Sequence, residues 1–368
     1  MNPARLEDCH LLDTPTAPCA ITLRGAAPVH SHVFKFASAA AAAALTLSLG
    51  ACASYSTAET TTDGSSAEAE TGTWPRTVTD DAGNEVEIPA KPERIVSTTV
   101  STTGSLLALD APLVGSATAA ISPQSDENGW FTQWADVAVE RDLEPIYQLG
   151  NFDLEAVVAQ DPDLIVVSTS GADSEIDNLA QLQDIAPTYV VNYGDKDWKE
   201  LTEELGEATG TEANAAAVID EFDQRAESIK QKLAIPAGTT ASIVSYNQGD
   251  DSPVGKTTGP HAALISSLGF DIVEPPAEYD TSTQVREDFA FTSYEGLAES
   301  ATGDAVFLIS ATDEIAKAFK DDATLANLPS VKNDNVFPLA NSFRLDYYSS
   351  SGILDYFEND FPGLNEAK

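Results

Sequence analysis

Two stretches of this chain decide its fold: LEAVVAQDPDLIVVSTSGADSEIDNLAQL, beginning at Leu154, and YEGLAESATGDAVFLISATDEIAKAF, beginning at Tyr294. Each runs from an acidic residue through a short helical pattern into an apolar strand that ends in Ser, at Ser168 and Ser310, and then into an acid-containing helix start. A strand followed by a helix, repeated about halfway along a chain, is the signature of two similar α/β lobes. Any two βα units share part of this pattern, so the flanking sequence has to carry the reading further.

Outward from the repeat, β-like runs alternate with helical ones. Strands are expected at Ile95 to Thr98, Leu113 to Ser116, Leu164 to Ser168, Tyr189 to Asn192, Ser242 to Tyr246, Ala305 to Ser310 and Val336 to Leu339. Between the repeats, residues 197–233 contain no Pro. Apolar residues recur there at helical spacing (Leu201, Leu205 and Ala208, then Ala215, Val218, Ile219, Phe222, Ala226, Ile229 and Leu233). Gly206 and Gly210 fall near the middle of this segment, which predicts two helices or one broken helix.

The amino-terminal end has a different character. Phe36 to Ala51 is nearly all Ala, Leu, Ser and Thr, follows Lys35, and ends in Leu49-Gly50-Ala51-Cys52. This reads as a secretory signal closed by a lipobox, too short to span a bilayer, with Cys52 as the lipidated first residue after cleavage. Two acyl chains on Cys52 would hold the protein to the membrane surface. Residues 1–51 are therefore assigned to a signal peptide. Glu7, Asp8 and Asp13 do not suit the positive end of such a signal, which puts the true start near Val33. Cys9 and Cys19 lie upstream of the cut, so the exported chain would hold one Cys and no internal disulfide. Residues 52–75, rich in Ser, Thr, Gly and acid, read as a flexible tether, followed by an N-terminal lobe (76–196), a connector (197–233) and a C-terminal lobe (234–368).

Charge narrows the function. The chain has 19 Lys and Arg against 59 Asp and Glu, a formal net charge of −40, and residues 1–51 contain three of each sign, so the rest keeps the whole excess. That argues against nucleic acid as a partner, because binding it needs clustered cations. Each Arg becomes informative: Arg76, Arg94, Arg141, Arg225, Arg286 and Arg344 are the candidates to face an anionic ligand.

Catalytic groups are scarce. After Cys52 the only thiol or imidazole is His261, which follows Gly259-Pro260 at an expected helix start and is read as a capping or solvent-facing ring. A secreted hydrolase would have to pair a Ser with this His, and a haem ligated through His would have to use it too. The same shortage argues against a transition metal held by the protein itself. Binding chemistry is better supplied. Ser342 to Ser351, SFRLDYYSSS, sets Phe343, Arg344, Tyr347 and Tyr348 just after a strand and at a helix start, the end of a strand where α/β folds place ligands. Arg with neighbouring Tyr can pair with an anion while stacking on aromatic rings. The alternative is an Arg344–Asp346 ion pair with both tyrosines in the core. In the first half, the hydroxyl-rich turn from Ser97 to Leu109 offers free helix N–H groups to an anion, or is capped by Ser101 or Thr102.

These segments resemble the substrate-binding proteins of iron–siderophore ABC importers, in particular the subgroup for catecholate ligands of the enterobactin type. The stretches that carry the resemblance are WPRTVTDDAG (Trp74), KPERIVSTTVSTTGSLLALDAP (Lys91), GWFTQWADVAVERDLEPIY (Gly129), DPDLIVVS (Asp161), VNYGDKDWKELTEELGEATG (Val191) and NSFRLDYYSS (Asn341). Together they span nearly all of residues 74–356. The resemblance implies two Rossmann-like lobes joined by a single long helix over residues 197–233, with the ligand in the cleft between them. It implies a non-enzymatic monomer that takes a ferric siderophore to ABC permease subunits, with no resident cofactor, because the siderophore's own oxygens saturate the iron. Ligand contacts are expected from Arg344, Arg286, Lys256, Tyr246, Tyr347, Tyr348, Ser101 and Thr102. Glu155 and Glu295 match the exposed glutamates, one per lobe, that dock on the permease. The sequence departs from the pattern in two loops: Ala117 to Gly129 has no Lys or Arg, and Pro253 to Pro260 has Gly255 and Lys256 in place of an aromatic. A haem- or corrinoid-binding protein of the same fold and a surface adhesion module remain the alternatives.

Overall fold

The structure, a computed structural model, describes residues 72–283 and 286–365. The leader, Cys52 and the tether as far as residue 71 lie outside the described residues. The tether's last expected residues belong to the fold: the Trp74 ring packs at the edge of the first core, with the Arg76 guanidinium 4.1 Å from its centroid.

The first lobe begins with an antiparallel hairpin of β1 (Arg76–Thr79) and β2 (Glu85–Ile88). There follow β3 (Ile95–Ser97), α1 (Val100–Ala108), β4 (Leu113–Thr118), α2 (Ala135–Glu140), β5 (Glu144–Gln148), α3 (Leu154–Ala159), β6 (Leu164–Ser168), α4 (Leu179–Gln183) and β7 (Thr188–Val191). The five strands β3 to β7 form a parallel sheet in the order β5-β4-β3-β6-β7. Its two faces alternate residue by residue. Ile95, Leu164, Val166, Tyr189 and Val191 face one core, and Val96, Ile165, Val167 and Val190 face the other. This is the double burial of a sheet covered by helices on both sides, and it explains the near-continuous apolar runs.

Next in the chain are α5 (Trp198–Thr209) and α6 (Glu212–Leu233), then β8 (Thr240–Val244), β9 (Ser252–Gly255), α7 (Pro260–Ser267), β10 (Asp271–Ile272), β11 (Phe289–Thr292), α8 (Tyr294–Ser300), β12 (Ala305–Ile309), α9 (Asp313–Asp321), α10 (Pro329–Lys332), β13 (Val336–Leu339) and α11 (Tyr347–Asn359). The second sheet runs β11-β9-β8-β12-β13, with β10 beside β8. Its β8, β12 and β13 are parallel and occupy the places of β3, β6 and β7, while β9 is antiparallel to both of its neighbours. The sequence repeat is therefore real at its centre, in α3–β6 and α8–β12, and lost at the flank, where a hairpin-like path replaces parallel strands.

The expected single connector over residues 197–233 is two helices. Asp197 opens α5 with a capping box, its side chain accepting from the Lys199 and Glu200 amides. Gly210 closes α5 with φ +69°, a left-handed conformation that Gly adopts without strain. Leu201, Leu205 and Ala208 of α5 belong to the first-lobe core. Along α6, Ala215 still packs there, whereas Phe222, Ala226 and Ile229 enter the second-lobe core. The long crossing is thus made by the 22-residue α6, about 33 Å at the usual rise, while Trp198 at the start of α5 also reaches the second-lobe core.

Candidate functional site at the seam between the lobes

The loop after β13, from Asn341 to Asp346, is where the lobes meet. Asn341 Oδ1 accepts from Thr132 Oγ1 (3.1 Å), and Asp346 Oδ2 accepts from Gln133 Nε2 (3.3 Å), both donors being on the first lobe. Asp346 caps α11 through the Ser349 amide (2.8 Å) and is buried, so its carboxyl titrates above the usual range because burial disfavours the charge. The Arg344–Asp346 pair allowed by the sequence does not form. Instead the Arg344 guanidinium lies 5.2 Å from the ring centre of Tyr193, across the seam, and 6.0 Å from that of Phe343. Arg344 makes no ion pair among the described residues. Phe343 is 59% exposed, one of the few large apolar side chains left to solvent.

Tyr193 is held from behind. Its hydroxyl donates to Asp173 Oδ1, and the other oxygen of that carboxylate accepts from Thr99 Oγ1 and from the Ser101 amide (3.0 Å). Asp173 is buried, so the anion suited to the N-terminal turn of α1 comes from within the chain. This corrects both readings of that turn, as a ligand's anion site and as a turn capped by Ser101 or Thr102. Thr102 is fully buried, with Oγ1 directed to the Thr99 carbonyl (3.3 Å) and Ser97 Oγ (3.2 Å), and presents nothing to a ligand. Ser101 is partly exposed, and the pKa of Tyr193 is pushed up to about 12 by burial and then by Asp173. The phenol is therefore a neutral donor at physiological pH.

The other expected ligand contacts are placed differently. Lys256 lies 3.3 Å from Asp280 and donates to the Arg286 carbonyl (2.7 Å), and Arg286 forms a two-pronged pair with Asp288 at 2.8 and 2.7 Å. Both cations are neutralised by second-lobe carboxylates, Arg286 within its own loop and Lys256 by the loop before β11. Tyr347 packs edge-on to Trp198 (6.0 Å) at the second-lobe core, and Tyr348 sits against the first-lobe core, so both rings serve packing. The Tyr246 hydroxyl donates to Asp322 (2.7 Å), and its ring packs on Phe319 (5.1 Å). His261 is buried, correcting the solvent-facing expectation. Its Nε2–H donates to the Ser342 carbonyl (2.7 Å), Nδ1 has no partner, and burial lowers its pKa. This bond anchors the loop that carries Arg344. Glu155 and Glu295 are exposed in the first turns of α3 and α8, behind Asp153 and Ser293 as N-caps, at equivalent places in the two lobes. A recess of about 1010 Å³ runs along β13 and α11, lined by Asn341, Tyr348 and Tyr356 among others but by neither Arg344 nor Tyr193. Among the described residues no group of three or more His, Cys, Asp or Glu could hold a metal ion, and no helix is long and apolar enough to cross a membrane.

Sequence reasoning passed over Asp173 and Tyr193. The available signal was positional: both stand in loops just after strand ends, in STSGAD after β6 and VNYGD after β7, where α/β folds gather ligand contacts.

Two α/β lobes crossed by a helix, with polar, cationic and aromatic groups gathered at their seam, have the architecture of an α/β binding protein. The family model described as periplasmic binding protein matches residues 95–342, and the chain belongs to that family. It is 38% identical over 286 residues to the ferric enterobactin-binding periplasmic protein FepB of Escherichia coli O6:H1, covering 77% of this chain and 89% of FepB. Over 299 residues it is 26% identical to the probable siderophore-binding lipoprotein YfiY of Bacillus subtilis, covering 77% and 87% of the two chains. The crystal structure of holo-ViuP superimposes with a TM-score of 0.71 at 39% identity, over 79% of this chain and 97% of that one. Like these relatives, the chain is a binding protein and not an enzyme.

Proposed function

We propose that this protein captures a ferric siderophore outside the cytoplasm, a catecholate of the enterobactin type, and delivers it to an ABC permease for iron import. The observation that carries this reading is Arg344: a guanidinium with no ion pair among the described residues, beside Tyr193 and exposed Phe343, at the seam of two lobes, in a chain with a large negative excess. A tris-catecholate complex is anionic and aromatic, so it suits a cation flanked by rings, and its iron needs no ligand from the protein. Kinship to FepB supports the same ligand class. One cation at about 4 Å supplies ~4 kcal/mol at an effective dielectric near 20, before desolvation is subtracted.

The pairing of Lys256 with Asp280 and of Arg286 with Asp288 favours a second reading, a siderophore of lower charge than a trianion. Quenching of Trp130 and Trp134 fluorescence by ferric enterobactin, a less charged ferric catecholate, ferrichrome, haem and vitamin B12 separates these possibilities. The tris-catecholate is expected to bind tightest, and Arg344→Ala to weaken it tenfold or more, about 1.4 kcal/mol. Tight binding of haem or B12 with no response to ferric catecholates would refute the reading.

Delivery is proposed to run through Glu155 and Glu295, and retention at the membrane through a diacylglyceryl Cys52. Cys52→Ala should then release the protein into the medium with its ligand affinity unchanged.

A further inference from the structure

The Asp173–Tyr193 pair lies at the seam, with Asp173 buried and Tyr193 half-buried, and the site as proposed so far uses the ring beside Arg344 but not the carboxylate behind it. Asp173 uses both carboxylate oxygens: Oδ2 takes the Thr99 hydroxyl and the Ser101 amide, and Oδ1 takes the Tyr193 hydroxyl. Local backbone has been shaped around this bond. Gly171 has φ +79°, and a Cβ there would collide with the Tyr193 hydroxyl and approach Asp173 Oδ1 to 2.8 Å. A phenol that donates to a carboxylate gains electron density in its ring, which strengthens its attraction for a cation on its face. The cation on that face is Arg344 of the other lobe.

We propose that Tyr193, fixed by Asp173, is a positioning residue for the ligand site: it holds the face of the Arg344 guanidinium so that the in-plane N–H donors are turned toward an anionic ligand. Asp173 thereby places a negative charge behind the ring and not beside the ligand, and it spends that charge on α1 and the phenol. The device sets specificity, because an oriented planar fork favours anionic oxygens over a neutral siderophore. Preorganisation of this kind raises affinity by sparing the ordering of a long side chain on binding.

The inference rests on the proposed siderophore reading, and its test is a double-mutant cycle on the full chain with ferric enterobactin and neutral ferrichrome as probes. Tyr193→Leu should weaken ferric enterobactin at least fivefold in the native background and by less than twofold in the Arg344→Ala background, with ferrichrome affinity little changed in both. Tyr193→Phe keeps the ring and loses the anchor, so it should fall between native and Leu. Equal losses from Tyr193→Leu in both backgrounds, equal losses for both probes, or no loss at all would overturn the positioning role. Failure of the native protein to bind ferric enterobactin would instead overturn the ligand assignment.

Discussion

At the scale of single residues, His261 is the one imidazole in the described region, and its burial makes a sharp pH prediction. Burial holds its folded pKa below the ordinary 6.5, while the unfolded chain protonates near that value. Its contribution to stability is thus complete above pH 6.5 and is lost as pH falls through 6.5 toward the lowered folded value, by at most about 1.4 kcal/mol per pH unit. Asp346 acts in the opposite sense, since its raised pKa makes stability fall as pH rises above its unfolded value. Denaturation midpoints at about pH 7.5 and about pH 5.5 should therefore drop with acid in the native chain and drop less in His261→Gln. Equal drops in both would remove His261 as the source. At Gly171, Ala would be strained at φ +79° by about 1–2 kcal/mol and would also displace Tyr193, so Gly171→Ala should lose both thermal stability and ligand affinity.

Among elements, the contact between α1 and α11 governs the seam. Gly104 on α1 lets Asp346 and Trp134 approach, for a Cβ there would come within 2.5 Å of Asp346 Oδ2 and 2.8 Å of the indole. Gly104→Val should overpack this junction and lower stability by about 1–3 kcal/mol in a denaturant titration. Because Trp134 shares the junction, its emission should change in the same variant. All seven expected strands are present with boundaries shifted by at most two residues, because apolar runs covered on both faces are unmistakable. Strands β1, β2, β5, β9, β10 and β11 are not expected from the sequence; in β5 and β9, EPIYQ and SPVG carry a Pro and lack such a run. The connector shows the reverse. Gly206 and Gly210 pointed to a break and resemblance to a single helix, and the break is present at Gly210.

For the whole molecule, α6 crosses with side chains buried in both lobes, so the lobes are joined through a packed helix and not through a free loop there. Ligand should thus change the radius of gyration in solution scattering by no more than the measurement error, and a clear contraction would show large closure. The proposed permease contact is also a property of the whole, since Glu155 and Glu295 lie in different lobes at matching places. Replacing both with Ala should abolish iron uptake in cells while leaving ligand quenching intact, and normal uptake would end that role.

The sequence alone determined the two-lobe α/β class, the candidacy of Arg344 and the lack of catalytic groups, because strand burial, charge scarcity and residue inventory are local properties. It could not tell which cations were free. Lys256, Arg286 and Arg344 look alike in a string of letters, and only the folded loops show Asp280 and Asp288 neutralising the first two while Tyr193 receives the third. Nor could it place Asp173 under α1, a contact over 72 residues of chain to the Ser101 amide. Pairing energies depend on distance through space, and that distance exists only once the chain has folded.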